Sequence, residues 1–231
     1  MIAMNFFKDI LSIFYPDVCM CCKNPLTVQE DTLCLTCRYD LPETNFSSEK
    51  ENLIEKTFYG KVQIESGTAL FYFLKPSNVQ KLIHELKYKG QQQVGEFTGN
   101  WLGEELLLSG RFKNLDCIIP VPLHKKKLQK RGYNQVTVLG ETLSKILNIP
   151  FYDDVLIKTD ASKTQTKKLR LDRWKNAQHK FIIHNSQKIN NKHILLIDDI
   201  ITTGATLESC ATVILNENCT KVSIACIAYT K

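Results

Sequence analysis

From about Ser66 to the end, the chain alternates two kinds of stretch. Continuous apolar runs ("GTALFYFL", "LDCIIPVPL", "HILLIDD" and "KVSIACIAYT") have the length and β-branched content of buried strands. Amphipathic stretches separate them. "SNVQKLIHELKYKG" reads as a helix, with Ser77 placed to cap it and Gly90 to stop it. "GEFTGNWLGEELLLSG" reads as another, despite its glycines. "NQVTVLGETLSKILN" puts Val138, Leu139, Leu143, Ile146 and Leu147 on one face, and "ATLESCATVILNENC" is the last helix. Apolar strands alternating with helices predict an α/β fold: a mostly parallel sheet covered on both faces.

The earlier part of the chain differs. Phe6, Phe7, Ile10, Leu11 and Phe14 recur at helical spacing and predict a short amphipathic helix. Lys8 and Asp9 interrupt that stretch and no small-residue cleavage pattern follows, which argues against a signal peptide. No apolar run reaches the roughly 20 residues of a membrane span. Residues 45–65 are polar and turn-rich. The expected organisation is an N-terminal helix and cysteine module over 1–45, a linker or cover over 46–75, and an α/β domain over 76–231.

Nine cysteines in a chain with no recognisable export signal point to a reducing, cytoplasmic setting. Cys19 and Cys22 form one C-x-x-C pair, Cys34 and Cys37 a second, and the short link between them lets the pairs meet. Two such pairs match a tetrahedral four-cysteine zinc site, with redox or disulfide chemistry as the alternative. Cys21 offers a second register for the first pair. With no histidine or open ligand apparent, such a zinc is expected to be structural, and Lys23 and Arg38 stand beside the pairs to offset its thiolate charge. Cys117, Cys210, Cys219 and Cys226 read as core or near-core thiols.

Charge changes the picture further. Overall the chain is +6, yet residues 124–134 carry five Lys/Arg and no acid, and residues 163–180 carry seven Lys/Arg and one acid. The remainder is therefore net negative. Two concentrated basic segments point to a polyanionic ligand, the alternative being two solvated faces.

The stretch "ILLIDDIITTGAT", Ile194–Thr206, holds the chemistry. Its apolar run is expected to end at Ile197, placing Asp198 and Asp199 at the carboxyl end of a strand, where open parallel sheets bind ligands. Thr202, Thr203, Gly204, Ala205 and Thr206 then form a turn into a helix N-terminus, suited to one phosphate. The turn is not a Walker loop, because no lysine follows the glycine, nor a dinucleotide fingerprint, because it has one glycine. Carboxylates beside a phosphate site suit hydroxyl groups or a divalent cation. A sugar phosphate satisfies both halves. The plainer reading is a solvated acidic pair beside a capped helix.

This stretch resembles the phosphoribosyl-pyrophosphate signature of type I phosphoribosyltransferases at every position. The resemblance implies that Asp198 and Asp199 hold the ribose 2′- and 3′-hydroxyls, that Thr202 to Thr206 wrap the 5′-phosphate, and that Mg²⁺ accompanies the substrate. Arg131, whose planar fork suits phosphate oxygens, is the leading candidate for a pyrophosphate contact. Lys87 and Lys89 are further candidates, with a snorkelling pair of helix-end lysines as the alternative.

Four further pieces narrow the resemblance. They are Leu86 to Gly90, then Val121-Pro122-Leu123, then Arg131-Gly132-Tyr133-Asn134-Gln135, and lastly Gln165, Leu169, Arg173 and Asn176 in order. Together they resemble the ComF/GntX family of phosphoribosyltransferase-like proteins, which carry an N-terminal zinc ribbon. Tyr133 stands where that family often has Phe. Arg173 and Asn176 share a face if helical, for a structural or a ligand role.

The resemblance implies a phosphoribosyltransferase with an acceptor the sequence does not name, or a sensor that binds the donor without turnover. It equally implies a competence factor in natural transformation, handling single-stranded DNA and working with DNA-uptake machinery. For that reading Tyr88, Tyr133 and Trp174 are candidates to stack on bases, with packing as their alternative role.

Overall fold

The computed structural model describes residues 16–159, 180–218 and 220–231. The helix expected in the first fifteen residues lies outside them, as do Cys219 and most of the second basic segment with Gln165, Leu169, Arg173, Trp174 and Asn176.

The described elements are α1 (Leu35–Tyr39), α2 (Leu53–Phe58), β1 (Gly67–Tyr72), α3 (Asn78–Tyr88), α4 (Gln93–Ser109), β2 (Cys117–Pro120), α5 (Lys125–Arg131), α6 (Thr137–Leu147), β3 (Leu156–Lys158), β4 (Phe181–Ile183), β5 (His193–Ile201), α7 (Ala205–Leu215) and β6 (Lys221–Tyr229). The four apolar runs form one parallel sheet in the order β1-β6-β5-β2. β3 and β4 make a separate antiparallel pair.

Period-2 alternation sorts the side chains of β5 to the two faces. Leu195 and Ile197 join an apolar core with Leu82 and Leu86 of α3, Leu102 and Leu106 of α4, and Leu139 and Leu143 of α6. Ile194 and Leu196 join the other, with Ile54 and Phe58 of α2 and Leu207, Cys210 and Ile214 of α7. The sheet is thus covered on both sides, as the continuous apolar runs require.

Capping follows the sequence signals. The Ser77 side chain accepts the Gln80 N–H at 3.1 Å, and Gly90 sits just beyond α3 at φ +70°. The glycines of α4 have a packing reason. A Cβ on Gly95, Gly99 or Gly103 would lie 3.2, 2.8 or 2.8 Å from Val138, Thr142 or Ile146 of α6. A groove of i, i+4, i+8 glycines therefore receives an i, i+4, i+8 ridge and lets the two helices approach closely. The helical cost of three glycines is offset by that contact.

Two expectations are corrected. β5 does not end at Ile197. It continues through both aspartates to Ile201, because Asp198, Ile200 and Ile201 keep pairing with Cys226, Ala228 and Tyr229 of β6. The sheet also begins inside 46–75, since β1 pairs with β6 along its length.

The cover segment before β1 is tied down by one side chain. Buried Asn52 donates to the carbonyls of Phe46, Glu49 and Gly67 at 2.8–3.0 Å, and its Oδ1 accepts the Ile54 and Glu55 N–H groups. It caps α2 and pins the preceding turn to the start of β1. Arg111 adds bonds to Glu55 and to the Phe46 and Glu49 carbonyls. The cysteine module is equally attached: Met20, Cys21, Leu33 and Leu41 share a core with α3 and α4.

Candidate functional site

All four parallel strands present their carboxyl ends at one edge, and the acidic pair lies there on β5. Asp199 is buried, and both its oxygens are engaged. Oδ1 meets Lys87 Nζ at 2.7 Å, and Oδ2 accepts from Gln135 Nε2. Asp198 is half-buried, and its Oδ1 accepts the Asp199 N–H at 2.8 Å. Burial, then repulsion from Asp199, pushes the Asp198 carboxyl up to about 8, against weaker opposing pulls from the Asp199 N–H, Lys87 and Lys158.

That shift carries a sign. Asp198 holds its proton in the folded protein up to about pH 8 but loses it near pH 4 when unfolded. Its contribution to stability is complete below about pH 4 and is lost as pH rises towards 8. In the ligand-free protein, Asp198→Asn is expected to raise the melting temperature at pH 8 and leave it nearly unchanged at pH 4. A pair of melts at the two pH values checks this.

The Arg131–Gln135 stretch knits the site together residue by residue. Arg131 Nη1 donates to Gln135 Oε1 at 2.8 Å. Gly132, at φ +79°, ends α5 in the left-handed conformation that favours glycine. The Tyr133 hydroxyl donates to the Leu86 carbonyl at the end of α3. Asn134 Nδ2 donates to the Val121 carbonyl just past β2 at 3.1 Å. Gln135 reaches Asp199. One short motif thereby joins α3, β2 and β5 around the acidic pair.

Beside that knot lies a cleft of about 360 Å³ lined by Lys87, Tyr88, Gly90, Lys127, Lys130, Arg131 and Tyr133. Arg131 stacks over the Tyr88 ring at 5.2 Å. Four cations without an acid in the lining make a surface for an anion. Lys89, expected with Lys87, instead approaches Glu85 at 3.5 Å and is not among the lining residues. Tyr133 is held by its hydrogen bond to the α3 end, the packing role weighed for it from sequence.

On the other side of Asp198, the turn Thr202–Thr206 leads into α7. Thr202, Thr203, Ala205 and Thr206 are exposed and Gly204 is buried at φ +76°. Thr203 Oγ1 accepts the Ala205 N–H at 3.4 Å. The first-turn N–H groups of a helix lack intrahelical partners, so this end favours an anion. A Cβ on Gly204 would also lie 2.9 Å from Thr57, so the cover segment rests directly against the turn.

The Sγ atoms of Cys19, Cys22, Cys34 and Cys37 all lie within 4.8 Å of one another, with Cys22 and Cys34 at 3.7 Å. Thiolates bound at about 2.3 Å around one tetrahedral ion sit about 3.8 Å apart, so the four fit a metal ion such as zinc. Cys19 is buried, yet N–H groups of Cys22, Cys34 and Cys21 aimed at its sulfur hold it down at about 6. Cys21 stands apart: its thiol donates to the Asn78 carbonyl and burial pushes it up to about 12. The second register is therefore not the one formed. Lys23 and Arg38 have other partners than the cluster. Lys23 bonds Glu85 of α3 at 2.7 Å, and Arg38 lies 5.1 Å from the Trp101 ring centre.

Gln135, whose amide reaches Asp199, is the residue at this site that sequence reading did not single out as a site residue. The signal that could have found it is its place at the end of the Arg131–Gln135 motif, read from sequence as part of the resemblance and not as a contact to the acidic pair.

With this geometry in place, residues 134–231 match the family model of the phosphoribosyl transferase domain. Among curated proteins, the DNA utilization protein YhgH of Escherichia coli O157:H7 is 29% identical over 155 residues, 64% of this chain and 66% of that protein. Competence protein F of Haemophilus influenzae is 29% identical over 140 residues, covering 59% of this chain and 60% of that one. Competence protein ComFC of Bacillus subtilis is 35% identical over 100 residues, covering 43% and 38%. The matched stretch thus spans just under two thirds of the E. coli protein. Among solved structures, a glutamine phosphoribosylpyrophosphate amidotransferase from B. subtilis superposes loosely, at a TM-score of 0.43 with 18% identity, covering 62% of this chain and 30% of that one.

The fold is that of a type I phosphoribosyltransferase-like protein: a parallel sheet between helices, with an N-terminal four-cysteine cluster. Over residues 134–231 the chain is phosphoribosyltransferase-like, and it is similar to competence proteins of the ComF type.

Proposed function

We propose that the protein binds phosphoribosyl pyrophosphate with Mg²⁺ and transfers its phosphoribosyl group to an acceptor. One observation carries the reading: the acidic pair lies between an anion-type turn and a basic cleft. The donor has matching parts in the same order, a 5′-phosphate, two ring hydroxyls and a diphosphate. Asp198 and Asp199 would hold the hydroxyls, Thr202, Thr203, Gly204, Ala205 and Thr206 the phosphate, and Lys87 and Arg131 the diphosphate.

In the transfer, the bond from ribose C1 to the diphosphate oxygen breaks as the acceptor's lone pair forms a new bond to C1. Negative charge grows on the departing pyrophosphate, where Lys87 and Arg131 neutralise it. Asp199 faces the ring on which positive charge develops. Mg²⁺ arriving with the substrate supplies further positive charge at the diphosphate. The four cysteines would hold zinc with no position left open, which suits a structural metal. The cover segment against Gly204 is the nearest element from which an acceptor could be selected. Pyrophosphate release, measured against a panel of bases and amines, tests turnover. Donor binding with no release from any acceptor points to a sensor.

The relatives' names and the mixed cation and tyrosine lining of the cleft favour a second reading, a cytoplasmic competence factor that handles single-stranded DNA beside uptake machinery. Among the described residues, no helix is long and apolar enough to cross a membrane. This reading expects single-stranded DNA affinity to fall steeply with salt. No binding at low salt would count against it.

A further inference from the structure

We propose that Gln135 is a positioning residue that couples the two halves of the donor site, so that an anion in the basic cleft changes how Asp199 receives the sugar. The inference rests on the donor reading above and adds a residue and a behaviour to it.

Gln135 and Asp199 are each only 5% exposed. The Gln135 amide has one orientation that satisfies both neighbours. A guanidinium has no acceptor and an ionised carboxylate has no donor. Its oxygen therefore faces Arg131 Nη1, at 2.8 Å, and its nitrogen faces Asp199 Oδ2. The other carboxylate oxygen is held by Lys87 at 2.7 Å. Lys87 and Arg131 both line the cleft, so the chain Arg131–Gln135–Asp199–Lys87 begins and ends there and passes through the sugar-binding acid.

An anion in the cleft draws on both cations at once. It competes with Asp199 for Lys87, freeing Oδ1 to accept a hydroxyl. It also competes with Gln135 for Arg131, leaving the amide to serve Asp199 alone and hold the carboxylate in place. Both changes favour the ring hydroxyls. Coupling of this kind is reciprocal, so each half of the donor should tighten the other.

The test uses the full-length, metal-loaded protein with two probes, ribose 5-phosphate and Mg²⁺-pyrophosphate, titrated by calorimetry separately and together. In the wild type, saturating pyrophosphate is expected to tighten ribose 5-phosphate about fivefold or more, within the usual range of such couplings. Gln135→Met keeps the shape and removes both bonds. It should still bind each probe but with a coupling below about twofold. A merely structural role would weaken both probes and leave their coupling intact. Gln135→Leu, a second apolar replacement of similar size, cuts the same chain and should show the same loss, which keeps the test open if Gln135→Met does not fold. An unchanged coupling in the variants, or none in a wild type that binds both probes, overturns the inference and leaves the donor reading standing. A wild type that binds neither probe overturns the donor reading and the inference with it.

Discussion

Asp199→Asn is expected to abolish the rise in melting temperature that phosphoribosyl pyrophosphate with Mg²⁺ gives the wild-type protein. The substitution keeps size and shape and removes the charge. A hydrogen bond to a charged group contributes about 1.5–3 kcal/mol, against about 1 kcal/mol for a neutral one. Two ring hydroxyls on this acidic pair therefore stand to lose about 2 kcal/mol or more, a factor of about 30 in affinity. The amide also leaves Lys87 without its carboxylate partner and turns N–H donors towards a site that needs acceptors. Removing one of two neighbouring charges should at the same time lower the Asp198 carboxyl from about 8, since repulsion from Asp199 helps to raise it. A thermal shift that survives in Asp199→Asn would remove this residue from the sugar site.

Cys37→Ser is the second large effect. Structural zinc contributes folding free energy directly, because the unfolded chain offers no preformed site. Here the loss would not stay local. The knuckles carry Met20, Cys21, Leu33 and Leu41 into the core beneath α3 and α4, and Lys23 clamps Glu85 on α3. That helix carries Lys87 into the site. Several kcal/mol lost from a chain of this size lowers the melting temperature by about 10 °C or more. Bound zinc, measured per chain, should fall from one towards zero, and donor affinity should fall with it. A variant that keeps its zinc and its melting temperature would contradict the assignment of Cys37 as a ligand.

The sequence was most legible where a pattern is local. Strands β1, β2, β5 and β6 announced themselves as apolar runs, and α3 by its Ser77 cap and Gly90 stop. The paired C-x-x-C spacing was enough to bring four sulfurs together. What it hid depended on distant partners. The end of β5 is fixed by β6, which keeps pairing past the aspartates, and no residue between 194 and 201 encodes that. Helix α5 has no buried face, so its basic sequence carried no periodic signal. The short β3 and β4 gain their meaning from each other. The α4 glycines looked like a weakness until α6 supplied the ridge they receive. In the site, the aspartates and the turn were readable as a unit, whereas Gln135 joins Asp199 across sixty-four positions of sequence. Lys89 illustrates the converse: its position beside Lys87 suggested a shared task, and helical spacing turned it to Glu85, four residues earlier.

The central claim is that one sugar-phosphate donor spans the turn, the acidic pair and the cleft. The most direct measurement is a calorimetric titration of metal-loaded wild-type protein with phosphoribosyl pyrophosphate in the presence of Mg²⁺. Saturable binding of one donor per chain, lost in Asp199→Asn and weakened in Arg131→Met, is the predicted result. No binding at millimolar donor, in a protein whose zinc content and melting curve show it folded, would contradict the claim.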